Sequence, residues 1–392
     1  MAPLDEPLLD DPDALAAADR SGVLLSLAEA GAQVREAVVR GQEAGVCRLD
    51  QDDRPRSVLV ASLGGSGIVG DVLSFLAGAG SSMPVEVRRG PPLPGWVGPL
   101  DLVVAVSQSG RARGPLALAA EAGRRGSRLV TVGAPDSPLA DVCAQARGLH
   151  VPITVRRHRD APDPGLVSSR AAMWSLLVPV LQAAHALGAV DVPDGVLAAA
   201  ADALDEEAEA ARPASEAFVN PAKSLALQLA DHVPVVLADG PLTDVAARRA
   251  VAMLARTARM PAMNGSLPDD ASEVVATFDG PFTPGAFDLF ADPFLDPPAG
   301  PTQRLLLLRE PAPEPGLDDQ AAFERAALAD RVRELARDVG VPVSEVSTER
   351  GHDLVRLAHL VARTDFTATY LALGMRLDPV TSPHVADLRD AR

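Results

Sequence analysis

Lysine is almost missing from this chain. Lys223 is the only one among 392 residues, although lysine and arginine together number 36. The imbalance looks like coding bias, so any role that calls for another lysine must fall to a different residue. Aromatic residues make up 3% and apolar residues 47%, so the interior must be built from Ala, Val and Leu. The net charge is −17 and no long basic run occurs. That excludes the cationic stripe needed to displace counterions from a nucleic acid. It leaves room for an anionic metabolite, because local backbone N–H groups can hold phosphate on an acidic protein. Cys47 and Cys143 have neither CxxC spacing nor a Cys/His cluster. They read as two reduced core thiols in a cytosolic protein, with no metal site. No signal-peptide pattern is visible at the N-terminus, and no run of ~18 purely apolar residues suggests a membrane span. The expectation is a cytoplasmic protein.

Its length predicts two or three domains. Residues 1–50 carry acidic, helical patterns, with Asp11 or Asp13 as a cap for the first helix. Strands are expected at 56–62, 85–90, 101–107, 127–133 and 149–153, alternating with helical patterns that begin near Ile68 and at Pro115 and Leu139. Such alternation predicts a parallel sheet covered on both faces. Residues 154–168 read as irregular, and helices follow over 169–190 and 196–211. A linker near 212–220 separates a second half with the same grammar. There Asn220 caps a helix with Pro221 at its first position, and Thr243 or Asp244 caps the next. VPVVLAD, SEVVATFDG, RLLLLRE and PVSEVS read as strands. An amphipathic helix ends at Gly340, and a last helix spans 353–377.

Two strand-to-helix loops carry the chemistry. The first is Leu63-Gly64-Gly65-Ser66-Gly67, whose glycines allow positive φ and close backbone approach. Its amides and the following helix N-terminus suit an anion or a polyhydroxyl ligand. The spacing fits neither GxGxxG nor a Walker loop, so a plain tight turn is the other reading. The second loop, Ser107-Gln108-Ser109-Gly110, has hydroxyls at i and i+2 before a helix. That pattern grips phosphate or merely caps the helix.

LGGSGIVGD followed by a strand ending in SxSG is similar to the sugar isomerase (SIS) domain. The chain resembles the bifunctional phosphoglucose/phosphomannose isomerases over roughly residues 55–390. The likeness continues in NPAKSLALQL (220–229), ARR (247–249), RMPAMN (259–264) and GHDLVRLAHLVARTDFTATYLALGMRLDP (351–379). It implies two SIS-type α/β/α sandwich domains with mainly parallel sheets, at 51–212 and 213–392, plus a C-terminal helix and tail. It also implies a sugar-phosphate ligand, no cofactor or metal, and a homodimer.

Gly64, Gly65, Ser66, Ser107 and Ser109 stand where that family binds substrate. The family's second loop continues Asn-Thr-Glu-Glu-Thr, and here Arg111-Ala112-Arg113 replaces its start. Ala112 takes the place of a threonine, and Arg111 can supply charge to a phosphate instead. Exposed helix-start arginines are the other reading. Arg170 matches the family's substrate-side arginine, with Ser169 replacing a proline. A helix-surface ion pair is its alternative. The family's Pro-Glu-Leu-Asn-His-Asn-Glu becomes Pro268-Asp269-Asp270-Ala271-Ser272-Glu273. Asp269 falls at the base position one methylene short, and Glu273 fits only after a one-residue shift. A plain acidic turn is the alternative for Asp269 and Asp270. The family's terminal lysine has Arg389 as its stand-in, and His384 is a candidate for sugar-ring opening. The family's partner-subunit histidine matches none of the seven histidines here.

Two functions remain open. One is an isomerase interconverting glucose 6-phosphate or mannose 6-phosphate with fructose 6-phosphate through an enediol. The other is an inactive SIS protein that binds a phosphosugar as a regulator or sensor. A nucleotide-binding Rossmann protein is disfavoured, because the glycine spacing is wrong and VEVRRG ends in arginines, not the ribose-binding acid.

Overall fold

A computed structural model describes residues 4–50, 54–78, 80–153, 170–284, 300–312 and 319–385. The chain divides into two compact units. The first comprises Ser21–Glu206 and His352–Val355; the second comprises Met1–Arg20, Glu207–Gly351 and Arg356–Arg392. Residues 1–50, expected as one helical segment, therefore divide between the units at Arg20 and Ser21.

In the first unit, strands β1 (Val58–Ser62), β2 (Val85–Arg88), β3 (Leu102–Ser107), β4 (Arg128–Gly133) and β5 (Leu149–Pro152) form one parallel sheet, ordered β2-β1-β3-β4-β5. β1 and β3 are buried at every residue, as strands covered on both faces must be. Leu59, Ala61, Val103 and Ala105 share one face by the two-residue period. They pack with Leu118, Ala119 and Ala122 of the Arg113–Arg124 helix, and with Leu139 and Cys143. Burial raises the Cys143 thiol pKa. Cys47 corrects the expectation of two core thiols. It is exposed, on a single 3-10 turn (Val46–Arg48) whose Val46 takes the inward position. Residues 154–169, which include the whole predicted irregular segment (154–168) and the predicted helix start at Ser169, lie outside the described residues.

In the second unit, β6 (His232–Ala238), β7 (Met263–Ser266), β8 (Thr302–Arg309) and β9 (Val343–Ser347) form a parallel sheet ordered β7-β6-β8-β9. Val235, Leu237, Leu305 and Leu307 face Val274, Phe278, Ala329, Val332 and Ala336. The predicted SEVVATFDG strand is instead the Ala271–Ala276 helix followed by a 3-10 turn at Thr277–Asp279. Val274 and Phe278, four apart, both enter the core, so helical spacing wins over the β preference of the Val-Val pair. The edge strand falls earlier, at Met263–Ser266.

Several predicted caps are present. Asp11 accepts from Asp13 N and Ala14 N at 3.0 Å each, and Asn220 does the same for Ala222 and Lys223. The helix expected to be capped at Thr243 or Asp244 starts earlier, at Pro241, with Gly240 as its cap. Thr243 lies one turn in and reaches back to accept from Gly240 N at 2.9 Å. The last helix, Asp353–Gly374, stops three residues short of prediction. Arg376 at φ 56° turns the chain, and Leu377 N donates back to Ala372 O at 2.9 Å. Among the described residues no helix is long and apolar enough to cross a membrane.

Candidate functional site

From β1 the chain moves to β2 on one side and then to β3 on the other. The loops that follow β1 and β3 therefore diverge to opposite faces and leave a crevice at the strands' C-terminal ends, the usual ligand position in open α/β sheets. Ser62 of β1 is in register with Val106 of β3, so both loops start at one level. After extended Leu63, a 3-10 turn (Gly64–Ser66) runs directly into the Gly67–Gly78 helix. Gly64 has φ 61°, and a Cβ there would meet nothing within 4 Å. The glycine thus serves the backbone angle and leaves open space above the turn. Ser66 Oγ donates to Leu63 O at 2.9 Å. Ser62 Oγ is wholly buried with no hydrogen-bond partner among the described residues. Leaving a buried hydroxyl unmatched costs about 1–3 kcal/mol, which a ligand or water would offset.

The second loop turns at Gly110, whose φ is 65° and whose N–H donates to Ser107 O at 2.9 Å. A Cβ on Gly110 would lie 2.1 Å from Ser137 Oγ. Ser107 Oγ accepts from Ala112 N and Ser109 Oγ from Arg111 N, both at 3.3 Å. The hydroxyls do support their own loop. Each acts there as an acceptor, so its O–H proton remains to be given to a ligand oxygen. Ser107 is buried, while Ser109 and Arg111 are exposed.

Arg89 joins this group and was missed in the sequence. It follows β2, and a Cβ on Gly67 would lie 2.2 Å from its Nη1. The Asp71 carboxylate pairs with its Nη2 at 2.9 Å. Next to it, Arg89 O would be 2.4 Å from a Cβ on Gly114, so the end of β2 is pressed against the start of the Arg113–Arg124 helix. The available signal was VEVRRG itself, a strand that ends in arginines on the edge where ligand loops lie. Arg170 is buried rather than on a helix surface. It precedes the Met173–Ala186 helix, which packs on the Gly64–Ser66 turn.

The remaining candidates lie in the second unit. Asp269 and Glu273 are exposed, four residues apart, just beyond β7. Between them Asp270 is occupied structurally, accepting from Ser266 N at 2.8 Å. His384 lies in the exposed tail. Arg389 is outside the described residues. Lys223 is buried, and its ammonium donates to the carbonyls of Leu9, Pro213 and Ser215 beside the Tyr370 ring. All three of its protons are committed, so it holds chain segments together and has none to offer a substrate.

The second sheet has its own switch point between β6 and β8, and charged groups fill it. Asp239 Oδ1 accepts from Glu310 N at 2.8 Å, and Arg309 Nε lies 3.0 Å from Asp239 Oδ2. Glu310 Oε1 accepts from Leu242 N at 3.3 Å in the first turn of the Pro241–Met253 helix, and Glu310 Oε2 is 3.3 Å from Arg356. Burial pushes the Asp239 carboxyl up to about 6, with the Glu310 charge adding to it.

Fold and loops together are those of an α/β protein with two SIS-type units built on parallel sheets. Residues 218–391 match the bacterial phospho-glucose isomerase C-terminal SIS domain. The chain is 24% identical over 324 residues to a bifunctional phosphoglucose/phosphomannose isomerase from Caldicellulosiruptor bescii, covering 82% of this chain and 85% of that one. Among solved structures, a hypothetical protein from Thermus thermophilus superposes with a TM-score of 0.69 at 17% identity, covering 98% of this chain and 94% of that one. A glucose-6-phosphate isomerase like protein from the same organism gives 0.53 at 17% identity, with 98% and 99% covered. Residues 218–391 thus match the bacterial phospho-glucose isomerase C-terminal SIS domain, and most of the chain is similar to the bifunctional enzymes.

Proposed function

We propose that this protein binds a sugar 6-phosphate at the switch point of its first unit. The observation that carries this reading is the pairing of the Gly64–Ser66 turn with Ser107 and Ser109, whose hydroxyl protons are left to give. In this reading the phosphate takes bonds from Ser107, Ser109 and the loop amides, with Arg111 and Arg89 supplying charge. The sugar lies over Gly64, Gly65 and Ser66, with a Cβ on Gly64 meeting nothing within 4 Å. We further propose a homodimer and a cytoplasmic location, as the sequence resemblance implies.

Binding without turnover is the function the geometry supports best. Aldose–ketose isomerisation needs a carboxylate held beside C1 and C2 to carry the proton between them. Asp269 and Glu273 are exposed, and no hydrogen bond from the described residues orients either one. A base misplaced by ~1 Å loses about a hundredfold in rate. The isomerase remains the second reading, favoured by the likeness over 82% of the chain. In it Asp269 or Glu273 is the base, Arg170 steadies the enediolate, His384 opens the ring, and Arg389 replaces the terminal lysine.

A coupled assay separates the two. Glucose 6-phosphate and mannose 6-phosphate are supplied and fructose 6-phosphate is detected. Background turnover in wild type and Asp269→Ala alike supports the binding protein. Turnover that Asp269→Ala removes establishes the isomerase.

A further inference from the structure

We propose that the second unit carries a separate pocket for a small organic anion, between its N-terminal helix and the turn that ends its last helix. A cavity of about 540 Å³ lies there, within the usual range of small-molecule sites. Its floor is Leu8 with Ala14, Ala17 and Ala18 from the Pro12–Ala18 helix. The three alanines are spaced three and four apart, so they form one stripe. Their methyl groups leave the space that longer side chains would fill.

The cavity also presents two guanidinium groups, Arg20 and Arg376. Arg20 is exposed and forms no ion pair with the described residues. Arg376 has φ 56° at the end of a helix, a position where glycine is favoured. Keeping arginine there costs about 1 kcal/mol of backbone strain. Asp5 orients it, with Oδ2 3.1 Å from Arg376 Nε. A second left-handed arginine, Arg259 at φ 56°, fixes the cavity wall by donating to the carbonyls of Asp378 (2.7 Å) and Thr381. The Asp378 carboxylate, also on the wall, is turned into its own loop. It accepts from Val380 N at 2.8 Å, Thr381 N at 3.3 Å and the Thr381 hydroxyl. Arg376 is ion-paired to Asp5, so among the described residues Arg20 is the wall's unpaired cation, and Asp378, the one carboxylate on the wall, is already satisfied. The ligand this fits is a compact phosphate or carboxylate whose short carbon body covers the alanine stripe.

Calorimetric titration of the full chain with 3-phosphoglycerate, which carries both groups, tests the site. Glycerol 3-phosphate and glycerate, titrated separately, tell which group is read. Saturable binding is expected, weakened about tenfold by Arg20→Ala and by Arg376→Gly, a change the backbone angle accommodates. The Ser107→Ala/Ser109→Ala double variant should bind as wild type, because its loop belongs to the other unit. Absence of saturable heat with all three probes at millimolar concentration overturns the proposal. So does binding that survives both arginine variants, or that disappears in the serine variant.

Discussion

At the first switch point the loops after β1 and β3 bring Gly64, Ser66, Ser107 and Ser109, and no acidic side chain. At the second, the residues that follow β6 and β8 are Asp239 and Glu310. Both places offer the same opportunity, helix N-terminal amides at the C-terminal edge of a parallel sheet. In the first unit Ser107 and Ser109 keep hydroxyl protons to give, and a Cβ on Gly64 would meet nothing within 4 Å. In the second, the chain's own carboxylate takes the helix amide. Gly240 makes that possible, since a Cβ there would lie 2.3 Å from Glu310 Oε1. One fold therefore yields an open crevice and a closed one, and the difference lies in a few residues at strand ends.

Breaking the closed site should have the largest effect. Arg309→Met leaves the buried Asp239 without its cation, and about 3–5 kcal/mol of stability should be lost in chemical denaturation. A loss well under 1 kcal/mol would mean that the cluster is not what holds this end of the sheet.

The pH dependence of the closed site comes next. The Asp239 carboxyl titrates at about 6 when folded, whereas in the unfolded chain it releases its proton near 4. Between those values the folded protein binds a proton that the unfolded chain does not. The stability from this group is complete below about pH 4 and is lost as pH rises through about 6, by about 3 kcal/mol at most. Asp239→Asn should flatten this part of the stability–pH curve. An unchanged curve would assign the titration to other groups.

At the open site, Gly110→Ala combines a positive φ with a Cβ driven against Ser137. It should lower stability by about 2 kcal/mol and abolish sugar-phosphate binding. Retained binding would show that the turn at Gly110 does not shape the ligand loop.

The two strand-to-helix loops were legible because their signals are local: glycines that permit the turn, serines two apart, and a strand on one side with a helix on the other. Asn220-Pro221 and Asp11 were legible for the same reason. The closed site was not, because Asp239 and Glu310 are 71 residues apart in sequence and meet only through the pairing of β6 with β8. Arg89 was missed likewise, since its contact with Gly67 depends on β2 lying beside β1. The SEVV segment misled because its Val-Val pair favours a strand locally, while packing of Val274 and Phe278 into one core selects a helix.

The most direct test of the account is calorimetric titration of the full chain with glucose 6-phosphate, mannose 6-phosphate and fructose 6-phosphate, beside the Ser107→Ala/Ser109→Ala variant. Saturable binding of at least one sugar phosphate is predicted, weakened about tenfold or more in the variant. No binding to wild type, or equal binding to both proteins, would contradict it.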